Sequence, residues 1–329
     1  MLRYMIRRIL QAIPTILGVT MLSFLIITLA PGDPIQILTF GPGYTAEDRE
    51  RLAEKFCLDR NPVEQYVIWM VGDLRKGACE GKGILRGDFG VSLRNRQPVY
   101  EIIAQGIRPT LELTTGALLI GVLIGALIGV LSALKHGSWF DNLARFFSVI
   151  FDAVPSFWMG LILIMVLSVK YKLLPVGGRL PINDDHVTLF DRLRYLVMPS
   201  FVLAVSWIAL ISRLMRAETL EVIGKEYVRT ARAKGLSETR VNFVHAARNA
   251  LIPVVTFLGP AIVGLMSGAV VVEQVFSWPG IGRITLDAVN ARDYPIIMCG
   301  VILAAVIVVL GNLLTDLLLA LVDPRIRFD

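Results

Sequence analysis

Charge is scarce in this 329-residue chain: Asp, Glu, Lys and Arg make up 18% of it and hydrophobic residues 55%, where a soluble domain carries about 25% charge. That deficit argues against a soluble enzyme. Histidine is as rare, with only His136, His186 and His245, and no H-E-x-x-H helix is formed, so the common zinc hydrolase pattern is missing. No G-x-S-x-G elbow occurs, since Ser267 in Leu265-Met266-Ser267-Gly268 lacks the preceding glycine. The stretch Gly77-Ala78-Cys79-Glu80-Gly81-Lys82-Gly83 has the wrong spacing for a phosphate loop and no Ser or Thr after its lysine. The expectation is a chain that is no enzyme, with no catalytic residue, metal or cofactor of its own and no ATPase site. Cysteine is also sparse. Cys299 falls in an apolar run, while Cys57 and Cys79 share one long loop, where they could pair under oxidising conditions or stand as unrelated thiols.

What the chain does have is long uncharged runs. Six of them, 9–32, 113–134, 153–169, 195–212, 249–272 and 294–315, contain no Asp, Glu, Lys or Arg. About 20 residues at 1.5 Å each cross a 30 Å hydrocarbon core as a helix, so the expected fold is all-α and polytopic, with six transmembrane helices. The net charge of +6 is explained by topology. Arg3, Arg7 and Arg8 precede the first run, and segment 213–248 carries eight basic residues against four acidic ones; the positive-inside rule places both in the cytoplasm. Both termini are then cytoplasmic, and nucleic acid is excluded as a partner. The first run is too long for a signal-peptide core, so an uncleaved first helix is expected. The chain divides into a tail and first crossing at 1–32, an extracytoplasmic loop at 33–106, a core with crossings two to six at 107–322, which includes a cytoplasmic segment at 213–250, and a cytoplasmic tail at 323–329.

Within the outer loop, Thr45-Ala46-Glu47-Asp48 resembles a capping box opening a helix that carries Leu52 and Phe56. After Asn61-Pro62, Tyr66, Trp69 and Met70 recur at helical spacing, as in an amphipathic helix on the membrane or on neighbouring helices. The glycine-rich stretch from Asp73 to Arg86 suggests a mobile hairpin or loop. Gly116, Gly121, Gly125 and Gly129 leave one face of the second helix smooth for close helix packing. Pro155 interrupts the third run, and Pro253 and Pro260 make a straight fifth helix unexpected. Asp152, Glu273 and Asp316 are the ionisable groups at or beside the apolar runs. Such groups are costly unless they face a cavity or partner, so they are candidates for a substrate path, or for structural groups at interfaces.

The inner segment Glu226-Tyr227-Val228-Arg229-Thr230-Ala231-Arg232-Ala233-Lys234-Gly235-Leu236-Ser237 carries the sharpest signal. It reads as a helix supported by Glu221 four residues before Lys225 and stopped by Gly235. Ser237 then caps a second short helix through about His245, with Glu238 in its first turn. Such a projection suits docking into a groove of a soluble partner; a solvated basic loop is the plainer alternative.

The run Tyr227 to Leu236, followed by His245-Ala246-Ala247-Arg248-Asn249-Ala250-Leu251-Ile252-Pro253, resembles the loop by which permeases of ABC importers engage their ATPase subunits. More narrowly, it resembles the first permease of dipeptide and oligopeptide importers. Further matches are Pro31-Gly32-Asp33-Pro34, Gly87-Asp88-Phe89-Gly90-Val91-Ser92, Phe276-Ser277-Trp278-Pro279-Gly280-Ile281-Gly282, Arg292-Asp293-Tyr294-Pro295 and Asp323-Pro324-Arg325. The general importer pattern E-A-A-x-x-x-G falls here on Arg229-Thr230-Ala231 before Gly235, as in the peptide subclass, and the stretch from Asp73 to Leu85 is longer than the usual loop. The resemblance implies the type I permease fold, a bacterial inner-membrane location, and coupling through Glu226, Tyr227, Thr230, Ala231, Arg232, Ala233, Lys234, Gly235, Leu236 and Ser237. It also implies as partners a second homologous permease, two ATPase subunits that bind ATP and Mg, an extracytoplasmic solute-binding protein and membrane lipid. Relatives of this subclass carry dipeptides, oligopeptides, glutathione, nickel complexes or sugars. An ion-coupled transporter working alone is the alternative reading.

Overall fold

A computed structural model describes residues 2–29, 35, 39, 45–73, 82–181 and 187–322. Among these the secondary structure is helical, apart from one isolated antiparallel bridge between Val91 and Pro98. Five helices are long and apolar enough to cross a membrane, or six if a bent pair counts as one span. The chain forms two compact units, residues 1–108 with 283–309 and residues 109–282 with 310–329.

The first unit begins with α1 (Leu2–Leu29). Thr45 then caps α2 (Ala46–Lys55): its hydroxyl accepts the Asp48 N–H while Asp48 accepts from the Thr45 backbone, so the expected capping box is present. Phe56, expected on this helix, is the residue that closes it. Asn61 accepts the Glu64 N–H and Pro62 supplies the first position of α3 (Pro62–Val71). The Tyr66 hydroxyl lies 2.9 Å from Thr20 Oγ1, and the Phe24, Tyr66 and Trp69 rings pack together, so the apolar face of α3 rests on α1. Of the stretch expected to be a mobile hairpin, 74–81 lie outside the described residues and Ile84–Arg86 form a 3-10 turn. Pro31-Gly32-Asp33-Pro34 and Asp323-Pro324-Arg325 also lie outside them. Two quoted motifs meet in this unit. Asp293, 2% exposed, accepts Ser92 Oγ–H and the N–H groups of Leu93 and Arg94 at 3.1 and 3.3 Å, which ties the 92–94 loop to the start of the last helix.

In the second unit, α4 (Val99–Leu134) and α7 (Leu189–Ile223) pack through the smooth glycine face. A Cβ on Gly116 would lie 2.7 Å from Ser200 Oγ, on Gly121 3.0 Å from Trp207 Cβ, on Gly125 2.9 Å from Ile211 Cβ and on Gly129 2.5 Å from Met215 Cβ. The glycines therefore serve close approach, as the spacing predicts. Around this seam Leu113, Ala117, Leu203, Ile208, Leu265 and Trp278 form the largest core.

The third uncharged run is interrupted at Pro155, as the sequence suggests, but its helices begin earlier than the run does. They are a broken pair, α5 (Trp139–Ala153) and α6 (Ser156–Leu163, continued as a π-helix over Ile164–Lys170), bent by 102° at Val154-Pro155. The proline lacks the N–H that would continue the ladder, and Val154 before it is held extended. Residues 139–145, expected as part of an inner loop, are helical because Ser138 caps α5 by accepting the Asp141 N–H. The runs 113–134, 195–212, 249–272 and 294–315 are likewise only parts of longer helices. After α8 (Glu226–Ala233) comes α9, which starts at Glu238–Arg240, passes through a π-helix at Val241–Ala246 and continues as Ala247–Val275. The separate short helix expected from Ser237 to His245 is thus the first turns of the long helix α9. No glycine or proline stands between Ser237 and Pro253 to stop it. Helices α10 (Ile281–Ala291) and α11 (Tyr294–Val322) complete the chain.

Candidate functional site

The projection at 226–237 is built where α7 ends. The Gly224 and Lys225 N–H groups close back on the carbonyls of Glu221 and Val222, and Lys225 Nζ pairs with Glu221 Oε1 at 2.8 Å. The hydrogen bond that the Lys225 ammonium donates to the Glu221 carboxylate holds it above its ordinary pKa. Lys225 takes the extended N-cap conformation, and α8 starts at Glu226.

Spacing decides which face α8 turns inward. Val228 is fully buried and Ala231 is 6% exposed; both join a core with Met215, Val222, Val241 and Ala250 from α7 and α9. Glu226, Tyr227, Arg229, Thr230, Arg232, Ala233 and Lys234 remain exposed. Two small apolar anchors thus hold a helix of eight residues, too short to persist alone, while its other faces stay open. Lys234 closes the helix and Gly235 follows at φ +75, the left-handed conformation that glycine adopts without penalty. A Cβ at Gly235 would find nothing within 4 Å, so it is the backbone rather than intramolecular space that selects glycine. Arg232 Nε reaches Glu238 Oε1 at 3.0 Å and clamps the turn. Leu236 packs partly against the same core. Ser237 stands at the cap position without a side-chain capping bond. The segment expected to act together is therefore one elbow, rooted by Val228 and Ala231 and turned at Gly235.

The three acidic candidates for a substrate path do not form one group. Asp152, half exposed, pairs with Arg213 at 3.0 Å. Glu273 is fully buried: Thr110 Oγ1 donates to its Oε1 at 2.6 Å, and the Ile281 N–H donates to Thr110 Oγ1 at 2.9 Å. The Phe276 to Gly282 motif wraps this carboxylate. Ser277 takes φ +51, Trp278 donates its indole N–H to Pro109 O at 2.9 Å, and Gly280 packs directly on the Glu273 carboxyl. Glu273 is therefore a structural centre that ties 273–282 to the 109–110 turn of α4. Asp316 is partly buried on α11. Cys57 is buried and held in a disulfide, Cys299 is a buried free thiol, and Cys79 lies outside the described residues. Among the described residues no group of His, Cys, Asp and Glu is placed to hold a metal ion.

The sequence reading missed a buried ion pair. Asp141, fully buried, accepts both Arg216 Nε and Nη2 at 2.6 and 2.8 Å, together with Ser132 Oγ–H and the Gly137 N–H. Four hydrogen bonds join the end of α4, the start of α5 and the C-terminal half of α7. Ser138 three residues before Asp141 signals the helix start; nothing local signals Arg216.

Comparison with known proteins identifies the architecture. Residues 1–114 match the N-terminal model, and residues 121–328 the main model, of the binding-protein-dependent transport system inner membrane component. The oligopeptide transport system permease protein AppB of Bacillus subtilis is 43% identical over 329 residues, covering both chains completely. The dipeptide transport system permease protein DppB of Escherichia coli K12 is 38% identical over 349 residues, covering 99% of each. Among solved structures, the inward-facing MetNI methionine ABC transporter aligns with a TM-score of 0.54 at 19% identity, covering 68% of this chain and 97% of that one, a likeness of fold. An elbow anchored by two small residues between α7 and α9, a helical membrane fold and matches along nearly the whole length agree, and the chain belongs to the binding-protein-dependent transport system inner membrane components, the permease subunits of ABC importers.

Proposed function

We propose that this permease carries di- or oligopeptides inward, forming the path with a second homologous permease. Support for the cargo comes from the relatives named for dipeptides and oligopeptides, which match the chain end to end. Two cytoplasmic ATPase subunits bind ATP and Mg and hydrolyse the ATP, an extracytoplasmic binding protein delivers the peptide, and this chain hydrolyses nothing. It lies in the bacterial inner membrane with both termini in the cytoplasm and 33–106 outside.

In this reading the elbow at 226–237 couples the ATPase to the helices. The observation that carries it is the division of α8: Val228 and Ala231 are rooted against α7 and α9, while Tyr227, Arg229 and Thr230 face outward. A push on the outer face is passed to two crossings, because packed cores move as units. The test is Gly235→Asp. A Cβ at positive φ costs about 1–2 kcal/mol, which displaces the elbow without touching the core. Peptide uptake and binding-protein-stimulated ATP hydrolysis should be lost, with membrane insertion unchanged. Wild-type uptake at normal abundance would return the segment to a solvated basic loop.

A further inference from the structure

Within the first unit lies a cavity of about 490 Å³, in the size range of small-molecule sites. Its walls are mainly apolar and aromatic, from Phe24, Ile27, Phe56, Ile68, Trp69 and Met298. Two helices measure its depth. Phe24, Ile27 and Thr28 lie within five residues of the end of α1, about 8 Å along its axis. Tyr294, Pro295 and Met298 lie at the start of α11, where the last apolar span begins. Both rulers place the cavity just inside one face of the hydrocarbon layer.

Helix α3 is held at the same depth. Its Tyr66 hydroxyl meets Thr20, nine residues and about 14 Å before the end of α1. The outward positions Val63 and Val67 are apolar and 73% and 41% exposed, as expected of a helix bathed in lipid.

Three of the polar side chains in the wall are occupied. Thr28 donates to Phe24 O, the Gln65 amide donates to Leu58 O and Arg60 O, and Asp88 accepts the N–H groups of Lys82 and Gly90. A peptide entering here would bring amide groups that need partners. A hydrocarbon chain brings none.

We propose that this cavity binds an acyl chain of a membrane phospholipid, which docks α3 to the outer ends of the first and last crossings. The proposal rests on reading α1 and α11 as membrane spans, and one experiment tests the two separately. Full-length protein in native membrane vesicles is supplied with a phosphatidylethanolamine whose acyl chain carries a diazirine, irradiated and mapped by mass spectrometry. Leu22 and Ile26, exposed on α1, report ordinary lipid contact. The expected result is labelling of those two sites and, in addition, of Phe24, Trp69 and Met298. The cavity-filling variants Ile27→Trp and Ile68→Trp should each reduce cavity labelling several-fold relative to Leu22 and Ile26 in the same sample. Labelled Leu22 and Ile26 with an unlabelled cavity overturns the site. So does cavity labelling that neither tryptophan reduces. Absence of label at Leu22 and Ile26 overturns the membrane reading beneath it. Should a tryptophan variant fail to fold, the wild-type pattern still decides.

Discussion

At Asp141 a buried carboxylate faces Arg216 in a bidentate pair, and the arginine side chain is itself only 19% exposed. Removing one partner leaves the other charge buried, which costs about 3–5 kcal/mol. Asp141→Leu and Arg216→Met should each lower the melting temperature of the detergent-solubilised protein sharply. The double variant should recover much of the loss, because two apolar groups need no partner; a double variant as unstable as the sum of the singles would count against the pair. Glu273 invites a different test. A Cβ at Gly280 would stand 2.0 Å from Glu273 Oε1, which Thr110 holds in place, so Gly280→Ala should cost about 1–3 kcal/mol by overpacking, seen as reduced abundance and thermal stability. Wild-type stability would show that the carboxylate can swing away. Single residues were also the least legible scale in the sequence. Gly235 was readable because a helix stop needs a positive φ that few residues tolerate. Asp152, Glu273 and Asp316 were flagged by composition alone, and the structure gives Asp152 and Glu273 different partners. Asp141 was invisible because its partner is 75 positions away and only the fold joins them.

The elements were more legible, since helix caps and close-packed faces are local properties. Thr45 with Asp48 announced α2, and four glycines on α4 announced the seam that α7 fills. Gly129→Leu should therefore break the α4–α7 contact, where a Cβ already comes 2.5 Å from Met215 Cβ, whereas Gly18→Leu on α1, with nothing within 4 Å, should be tolerated. Abundance of the two variants in membranes separates packing from plain composition, and equal losses would contradict the seam. At α2 the Thr45 backbone N–H and hydroxyl hold the Asp48 carboxyl below its ordinary pKa. A depressed carboxylate stabilises above its unfolded pKa and loses that contribution as pH falls through the lower folded value. Amide protection over 46–49 should therefore be full near neutrality and decline only in strong acid. In Asp48→Asn that acid-dependent decline should disappear. The helix boundaries were less legible. Charge marks where lipid ends, not where hydrogen bonding ends, so α4 and α7 run well past the uncharged runs that announced them.

For the molecule as a whole, the open question is whether the pair α5 and α6, bent by 102°, crosses the membrane or turns back within it. Charge distribution decides between these. Residues 1–8 and 213–248 are both strongly basic, and the positive-inside rule puts both in the cytoplasm. An even number of crossings must then separate them. Helices α1, α4 and α7 supply three, and we propose that the bent pair supplies the fourth; a re-entrant pair would drive the basic elbow to the outside. The segment between α6 and α7 distinguishes the two arrangements, because it lies outside if the pair crosses and inside if it turns back. Val176, 57% exposed, is the position to use. In a chain without native cysteines, Val176→Cys and Thr45→Cys should react with an impermeant maleimide added to intact cells, and Ser237→Cys only after permeabilisation. Labelling of Ser237→Cys in intact cells, with Val176→Cys protected, would show a five-span chain with its termini on opposite sides. The cysteines fall in the same segment: Thr45 and Cys57 both lie in 33–106, and we propose Cys79 as the partner in the Cys57 disulfide. Closing a loop of that length stabilises by about 3 kcal/mol in the chain-entropy model. Non-reducing peptide maps of oxidised membranes should therefore recover 57 and 79 as one linked species, with Cys299 free. Linkage of Cys57 to another chain instead would leave the loop open and remove that stabilisation.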